Sequence, residues 1–104
     1  MGPIVEENLM KFDEFINSTK EDAPPQSLSE PLQAMWYARK GDWDKAHNIA
    51  QSISSELGSW IHAYLHRVEG DLSNADYWYK RAGKPQFQGS TEVEADEIVN
   101  SILK

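Results

Sequence analysis

Two of the chain's three histidines, His62 and His66, stand four residues apart in the stretch Trp60-Ile-His-Ala-Tyr-Leu-His-Arg-Val-Glu-Gly-Asp71. Placed on a helix, His62, His66 and Glu69 share one side, Trp60, Tyr64 and Val68 share the other, and Leu65 and Arg67 lie on the flanks. That spacing lets two imidazoles meet one ion, and Glu69, one turn on, adds a carboxylate oxygen. His47 lies at the border of the preceding helix's apolar stripe, with Gln51 one turn further. Antiparallel packing would bring His47 to the pair and complete a set of three histidines and a carboxylate. The set could ligate a metal, with His62 and His66 as candidates, or do general acid–base work. The Glu of an HExxH motif is absent, and no nucleophile or glycine-rich phosphate loop accompanies the histidines. Histidines on partly buried faces also commonly hydrogen-bond to neighbouring helices. No cofactor is expected, no metal is assigned, and the reading leans away from an enzyme.

Glu69, Arg67, Tyr77 and Arg81 join the histidines in a candidate polar groove. Arg67 could grip a charged ligand or pair with an acid on another helix. Tyr77 and Arg81 point away from their helix's core stripe and are candidate contacts for a peptide or a second subunit. The run Asp76–Arg81, DYWYKR, has the aromatic and basic character of a single-strand nucleic-acid platform. A formal charge of -7 argues against nucleic acid and against anionic membrane surfaces, and favours basic partners.

These side chains need helices to position them. The first is expected over Ile4–Ser18, with Val5, Leu9, Phe12 and Ile16 on its apolar side. A proline-containing linker, 19–30, follows; Ser27 with Glu30 reads as a capping box, while Pro31 would sit better after a cap at Ser29 or Glu30. The second helix covers Pro31–Lys40 and stops at Gly41. Asp42 caps the third, whose stripe of Trp43, Ala46, Ile49, Ala50 and Ile53 continues to Leu57 and ends at Gly58. The fourth is Ser59–Glu69, stopped by Gly70. Asp71 caps the fifth, which carries Leu72, Ala75, Tyr79 and Ala82 inward and ends at Gly83 and Pro85. Thr91 with Glu94 reads as the capping box of a last helix built on Ala95, Ile98, Val99 and Ile102. The acidic runs Glu6–Glu7 and Glu92–Glu97 are expected on solvated faces. No segment alternates with period two for long enough to be a strand.

Two of these corners repeat. GDWDKA (41–46) and GDLSNA (70–75) share Gly-Asp-x-x-x-Ala at a spacing of 29 residues. Glycine closes one helix in the left-handed conformation, aspartate caps the next, and alanine one turn in lets the partner helix approach. The stretch YARKGDWDKA resembles the turn of a tetratricopeptide repeat. Ala75, Tyr79 and Ala82, followed by Pro85, resemble the small–aromatic–small rhythm of that family's second helix. The spacing is shorter than the family's 34 residues, and His66 stands where the family prefers an aromatic. The chain is also similar to small bacterial proteins with a pattern like A-H-x-x-x-Q, W-x-H-A-x-L-H-R-x-E-G-D and N-A-x-Y-W-Y-x-R-A-G. Here the pattern falls on Ala46, His47 and Gln51, on Trp60–Asp71 and on Asn74–Gly83. That second resemblance implies no particular activity.

At 104 residues, with 39% hydrophobic and 11% aromatic content, the chain has the makings of one core. There is no cysteine, so disulfides and thiolate chemistry are excluded. No apolar run approaches a membrane span, the start lacks a signal peptide's basic flank and apolar core, and the expected location is cytoplasmic. The expectation is a single all-α domain, 1–104, of about six helices in antiparallel hairpins, stacked in the right-handed tetratricopeptide-like manner. It comprises an N-terminal helix (4–18), a linker (19–30), repeat-like hairpins (31–85) and a C-terminal helix (91–104). Such hairpins expose a concave face, so the expected role is protein or peptide interaction; a metal-binding protein or enzyme built on His47, His62 and His66 is the alternative, and a homodimer is a further option.

Overall fold

A computed structural model describes residues 10–103. Within them the chain is all-α, with six helices and no strand: α1 Phe12–Ser18, α2 Glu30–Arg39, α3 Trp43–Gln51, α4 Glu56–Glu69, α5 Leu72–Ala82 and α6 Thr91–Leu103. The expected helical stretch 4–9, with Val5 and Leu9, lies outside the described residues. Inside them α1 starts at Phe12, later than expected, because Lys11 is extended (φ -89°, ψ 158°) and its N–H donates to the Glu14 carboxylate at 2.9 Å.

The two Gly–Asp corners are copies of one another. Gly41 and Gly70 have φ of 87° and 88°, and Asp42 and Asp71 share φ of -92°. Asp42 N–H reaches back to the Tyr37 carbonyl and Asp71 N–H to the His66 carbonyl, each at 2.9 Å. This is the Schellman closure, which satisfies the last carbonyls of the helix just finished. The Asp42 carboxylate then accepts from Lys45 N–H and the Asp71 carboxylate from Asn74 N–H, which caps the helix just begun. The result is two hairpins, α2–α3 and α4–α5, each packed along its length.

Helix α4 is the centre of the molecule. It packs on α2, α3, α5 and α6, and every residue from Trp60 to His66 is buried. Ala46 and Ala50 on α3, Ala63 on α4 and Ala75 on α5 are buried at the contacts, where a small side chain lets helix axes approach. Helix α6 lies along α2 and α4, the first helix of each hairpin, and also touches α1. Arg39 of α2 holds it through Asp96 at 3.0 Å. The linker after α1 is latched by Lys40, whose ammonium donates to the carbonyls of Thr19 and Glu21, both at 2.8 Å.

Four expected boundaries shift. Ser29 rather than Ser27 precedes α2, and Pro31 takes the second helical position, where its missing N–H costs nothing. Helix α3 ends at Gln51, not Leu57. The Ser52 hydroxyl bonds back to the Ile49 carbonyl at 2.7 Å, and Ser55 caps α4 by accepting from Gly58 N–H at 3.2 Å. Gly58 therefore sits in the first turn of α4 instead of ending α3. Ser90, not Thr91, caps α6, accepting from Val93 N–H at 3.1 Å. No helix among the described residues is long and apolar enough to cross a membrane.

Gly58 is needed for space. A Cβ there would stand 2.1 Å from the Ile53 carbonyl oxygen, and that neighbour is backbone. At Gly41 nothing lies within 4 Å, so only the left-handed backbone opposes a side chain. Gly41→Ala is expected to lose about 1–2 kcal/mol from that conformation. Gly58→Ala is expected to lose at least as much, up to about 3 kcal/mol, because the α3–α4 connection must move. Urea unfolding of both variants tests this; a neutral Gly58→Ala would refute the close approach.

Candidate functional site

Three helices bring the histidines together. His47 sits one turn after Trp43 on α3 and stacks on it, with ring centroids 4.7 Å apart. His62 and His66, one turn apart on α4, lie 5.0 Å from each other. His47 meets the first edge-on at 4.4 Å and the second at 5.5 Å. Helix α5 contributes Trp78, flat on His62 at 3.9 Å. One ring nitrogen from each histidine lies within 4.8 Å of the others. The Trp43 indole N–H donates to the Leu65 carbonyl at 2.7 Å, which pins the start of α3 against α4 and fixes the register that makes the three meet.

The hydrogen bonding within the cluster is uneven. His66 Nδ1 faces Glu69 Oε2 at 2.7 Å, so this nitrogen carries the proton toward the carboxylate and Nε2 is left to act as an acceptor or ligand. Neither His47 nor His62 makes a side-chain hydrogen bond among the described residues, although His62 is only 5% exposed. Burial, then the neighbouring His47 and His66, lowers the His62 pKa from its ordinary 6.5 to about 4. His47 is lowered as well, first by burial and then by His66, against the pull of Glu69 and Asp44. Near neutral pH the His62 imidazole is an uncharged base with its lone pair available.

The remaining expected groove residues divide. Glu69 belongs to the cluster through His66. Tyr77 and Arg81 stand outside the Trp78 wall: Arg81 lies over the Trp78 ring at 5.3 Å and over Tyr77 at 5.8 Å. Arg67 is elsewhere. It points toward α6, where Nη1 donates to Glu94 Oε1 at 2.6 Å and Nη2 to the Gly89 carbonyl at 2.7 Å. The histidines lie on the side of α4 away from α6, so they do not line the face shared by the first helices of the hairpins. Helix α6 fills that face.

Glu94 was expected on a solvated face as a capping-box partner, and is fully buried. Its Oε2 accepts from the Trp60 indole N–H at 2.9 Å and from the Tyr79 hydroxyl at 2.5 Å, while Arg67 takes the other oxygen. Burial and the bond to Glu94 raise the Tyr79 pKa, which keeps the hydroxyl a donor. Burial opposes the Arg67 charge, but its bonds to Glu94 and Tyr79 outweigh that and raise its pKa. One signal for Glu94 was in the sequence: it is one helical turn before Ile98 and thus lies on the apolar stripe of α6. Of the walls of the histidine cluster, Trp43 reads in the sequence as part of a core stripe and Trp78 as part of the aromatic and basic run DYWYKR; neither is placed there against the histidines.

The fold and site thus define a small all-α protein of helical hairpins with a three-histidine cluster between the second helices of its two hairpins. No known protein family, curated protein or solved structure matches the chain.

Removing the Glu94 charge while keeping its shape leaves Arg67 without its counter-ion. Glu94→Gln is expected to lower stability by about 2–4 kcal/mol in urea unfolding, as for a broken buried pair with one partly exposed member. A loss below about 0.5 kcal/mol would refute the anchoring role. The histidines give a pH signature. Between pH 6.5 and about 4 the unfolded chain binds a proton at His62 that the folded chain refuses. Stability then rises with pH across this window and is lost on acidification, by at most about 3 kcal/mol. His62→Gln should flatten the profile in this interval; an unchanged slope would refute the assignment.

Proposed function

We propose that the protein is a helical-hairpin interaction module, stacked in the tetratricopeptide-like right-handed manner, that receives a helix of another protein at the open end of the stack. The observation supporting this is a difference between equivalent residues. Trp43 and Leu72 occupy the same place after their Gly–Asp corners. Trp43 is covered by the next hairpin, its indole bonded to α4. Leu72 has no such neighbour and is 62% exposed, with Val68, across the same corner, at 49%. Beside Leu72 a cleft of about 230 Å³ runs between Arg67, Ala75, Tyr79 and Phe87. A helix laid there would do for α5 what α4 does for α3.

The concave face that such modules usually offer is closed here by α6, so binding is assigned to the end of the stack and not to the inner groove. The occupant is an amphipathic helix with an apolar stripe for Leu72 and Val68. Its flanks are basic, because the chain carries a net charge of -7 and Asp71 and Asp76 border the cleft's helix. Selection from a library of helical peptides is expected to enrich such sequences on the native protein, and Leu72→Asp should abolish the enrichment. Enrichment indifferent to Leu72→Asp would overturn the proposal. So would a dimer in sedimentation equilibrium that Leu72→Asp dissociates, since a second copy would then be the occupant.

A further inference from the structure

We propose that His47, His62 and His66 form a binding site for one divalent transition-metal ion of the zinc class. The site is distinct from the surface at Leu72 and does not depend on it.

A histidine retained only for structure commonly engages a ring nitrogen with a neighbouring side chain or carbonyl, as His66 does with Glu69. His62 and His47 have no such bond among the described residues, and their nitrogens are not sealed from solvent, since the one buried side-chain polar atom without a partner there is Trp36 Nε1. Two imidazoles with unengaged nitrogens, placed against each other, lack a common partner. A cation supplies it. The nitrogens of the three rings lie within 4.8 Å of one another, and Zn–N bonds of about 2.0–2.1 Å require them to draw in to roughly 3.4 Å for tetrahedral ligation.

The surroundings fit ligation. A metal binds in the plane of an imidazole, so Trp78 stacked on the face of His62 fixes the ring and leaves its in-plane lone pair open. Glu69 takes Nδ1 of His66 and presents Nε2, the carboxylate–histidine arrangement that orients metal ligands. Three neutral nitrogen donors without a thiolate suit Zn²⁺, Co²⁺, Ni²⁺ or Cu²⁺ and not the oxygen-seeking Mg²⁺ or Ca²⁺. No Lys or Arg is among the charges that act on His47 or His62.

The test uses untagged protein stripped with chelator, then dialysed against Zn²⁺ or Co²⁺. The expected result is one ion per chain by elemental analysis, a tetrahedral-type Co²⁺ spectrum and a raised melting temperature. His62→Gln and His47→Gln should each weaken binding at least 100-fold. Glu69→Gln should weaken it about 10- to 100-fold, as for an outer partner of a ligand. His47→Gln serves as the second variant, since its side chain is only partly buried and the fold tolerates its loss better. No stoichiometric ion, or binding indifferent to His47→Gln, overturns the proposal. A neighbouring trio, His66, Glu69 and Asp71, also lies within ligand distance. Binding lost in Asp71→Asn and kept in His47→Gln would place the ion there and equally overturn it.

Discussion

Between Trp60 and His66 helix α4 is enclosed on four sides, by α2, α3, α5 and α6. Each polar side chain it carries between Trp60 and His66 must find a partner inside the protein or reach water at the margin of the packing. Its four polar side chains in that run divide by angular position. Trp60 and Tyr64 face toward α2 and α6. His62 and His66 face the slot between α3 and α5. The chain answers Trp60 with a carboxylate brought from α6, and the two histidines with aromatic rings.

The two answers are chemically unequal. On the α6 side the network is closed. Glu94 has both oxygens engaged by Arg67, Trp60 and Tyr79, and Arg67 has its second nitrogen on the Gly89 carbonyl. Helix α6 is thereby held across the first helices of both hairpins much as a bound segment would be, with one buried charge as its anchor. Such an anchor adds register more reliably than stability, because desolvating the ions offsets most of their attraction. On the α3–α5 side the rings touch but only His66 has its hydrogen bond. Packing satisfies the faces of the imidazoles and leaves their edges unspoken for. This contrast within one helix separates the structural polar cluster from the candidate functional one.

Much of this arrangement was legible in the sequence, for reasons that differ by residue. The Gly–Asp corners were legible because both their requirements, a left-handed residue and a cap, are local and fall on residue types that meet them. The meeting of His47 with His62 and His66 followed from those corners together with helical spacing. Gly58 misled because glycine at a helix end and glycine against a neighbouring carbonyl look alike in sequence; Ser55, three residues earlier, was the cap that distinguished them. Glu94 misled in the same way: a carboxylate three residues after a threonine reads as a capping box, and only its three donors, from α4 and α5, make it a core residue. Arg67, on a flank of the wheel, reads in the sequence both as a groove residue and as a partner for an acid on another helix; a long side chain there can turn either way, and the buried Glu94 carboxylate of α6 is where it turns.

The distribution of cations adds a last constraint. Lys40, Lys45, Arg67, Arg81 and Lys84, five of the ten Lys and Arg residues, lie over aromatic rings of the chain itself. A chain with an acidic excess thus lays much of its positive charge against rings, and of these five only Arg67 also bridges a carboxylate among the described residues. The carboxylates of Asp44 and Glu69, which act on His47, have no Lys or Arg bridge among the described residues. Asp44 and Glu69 thus act on His47 against the neighbouring His66, whereas the charges that act on His62 are the other two imidazoles. The acids would favour a proton on His47, yet burial and the crowding of three rings hold His47 and His62 neutral. A proton adds one charge to one ring and repels the next, whereas a single ion is shared by three lone pairs without setting the rings against each other.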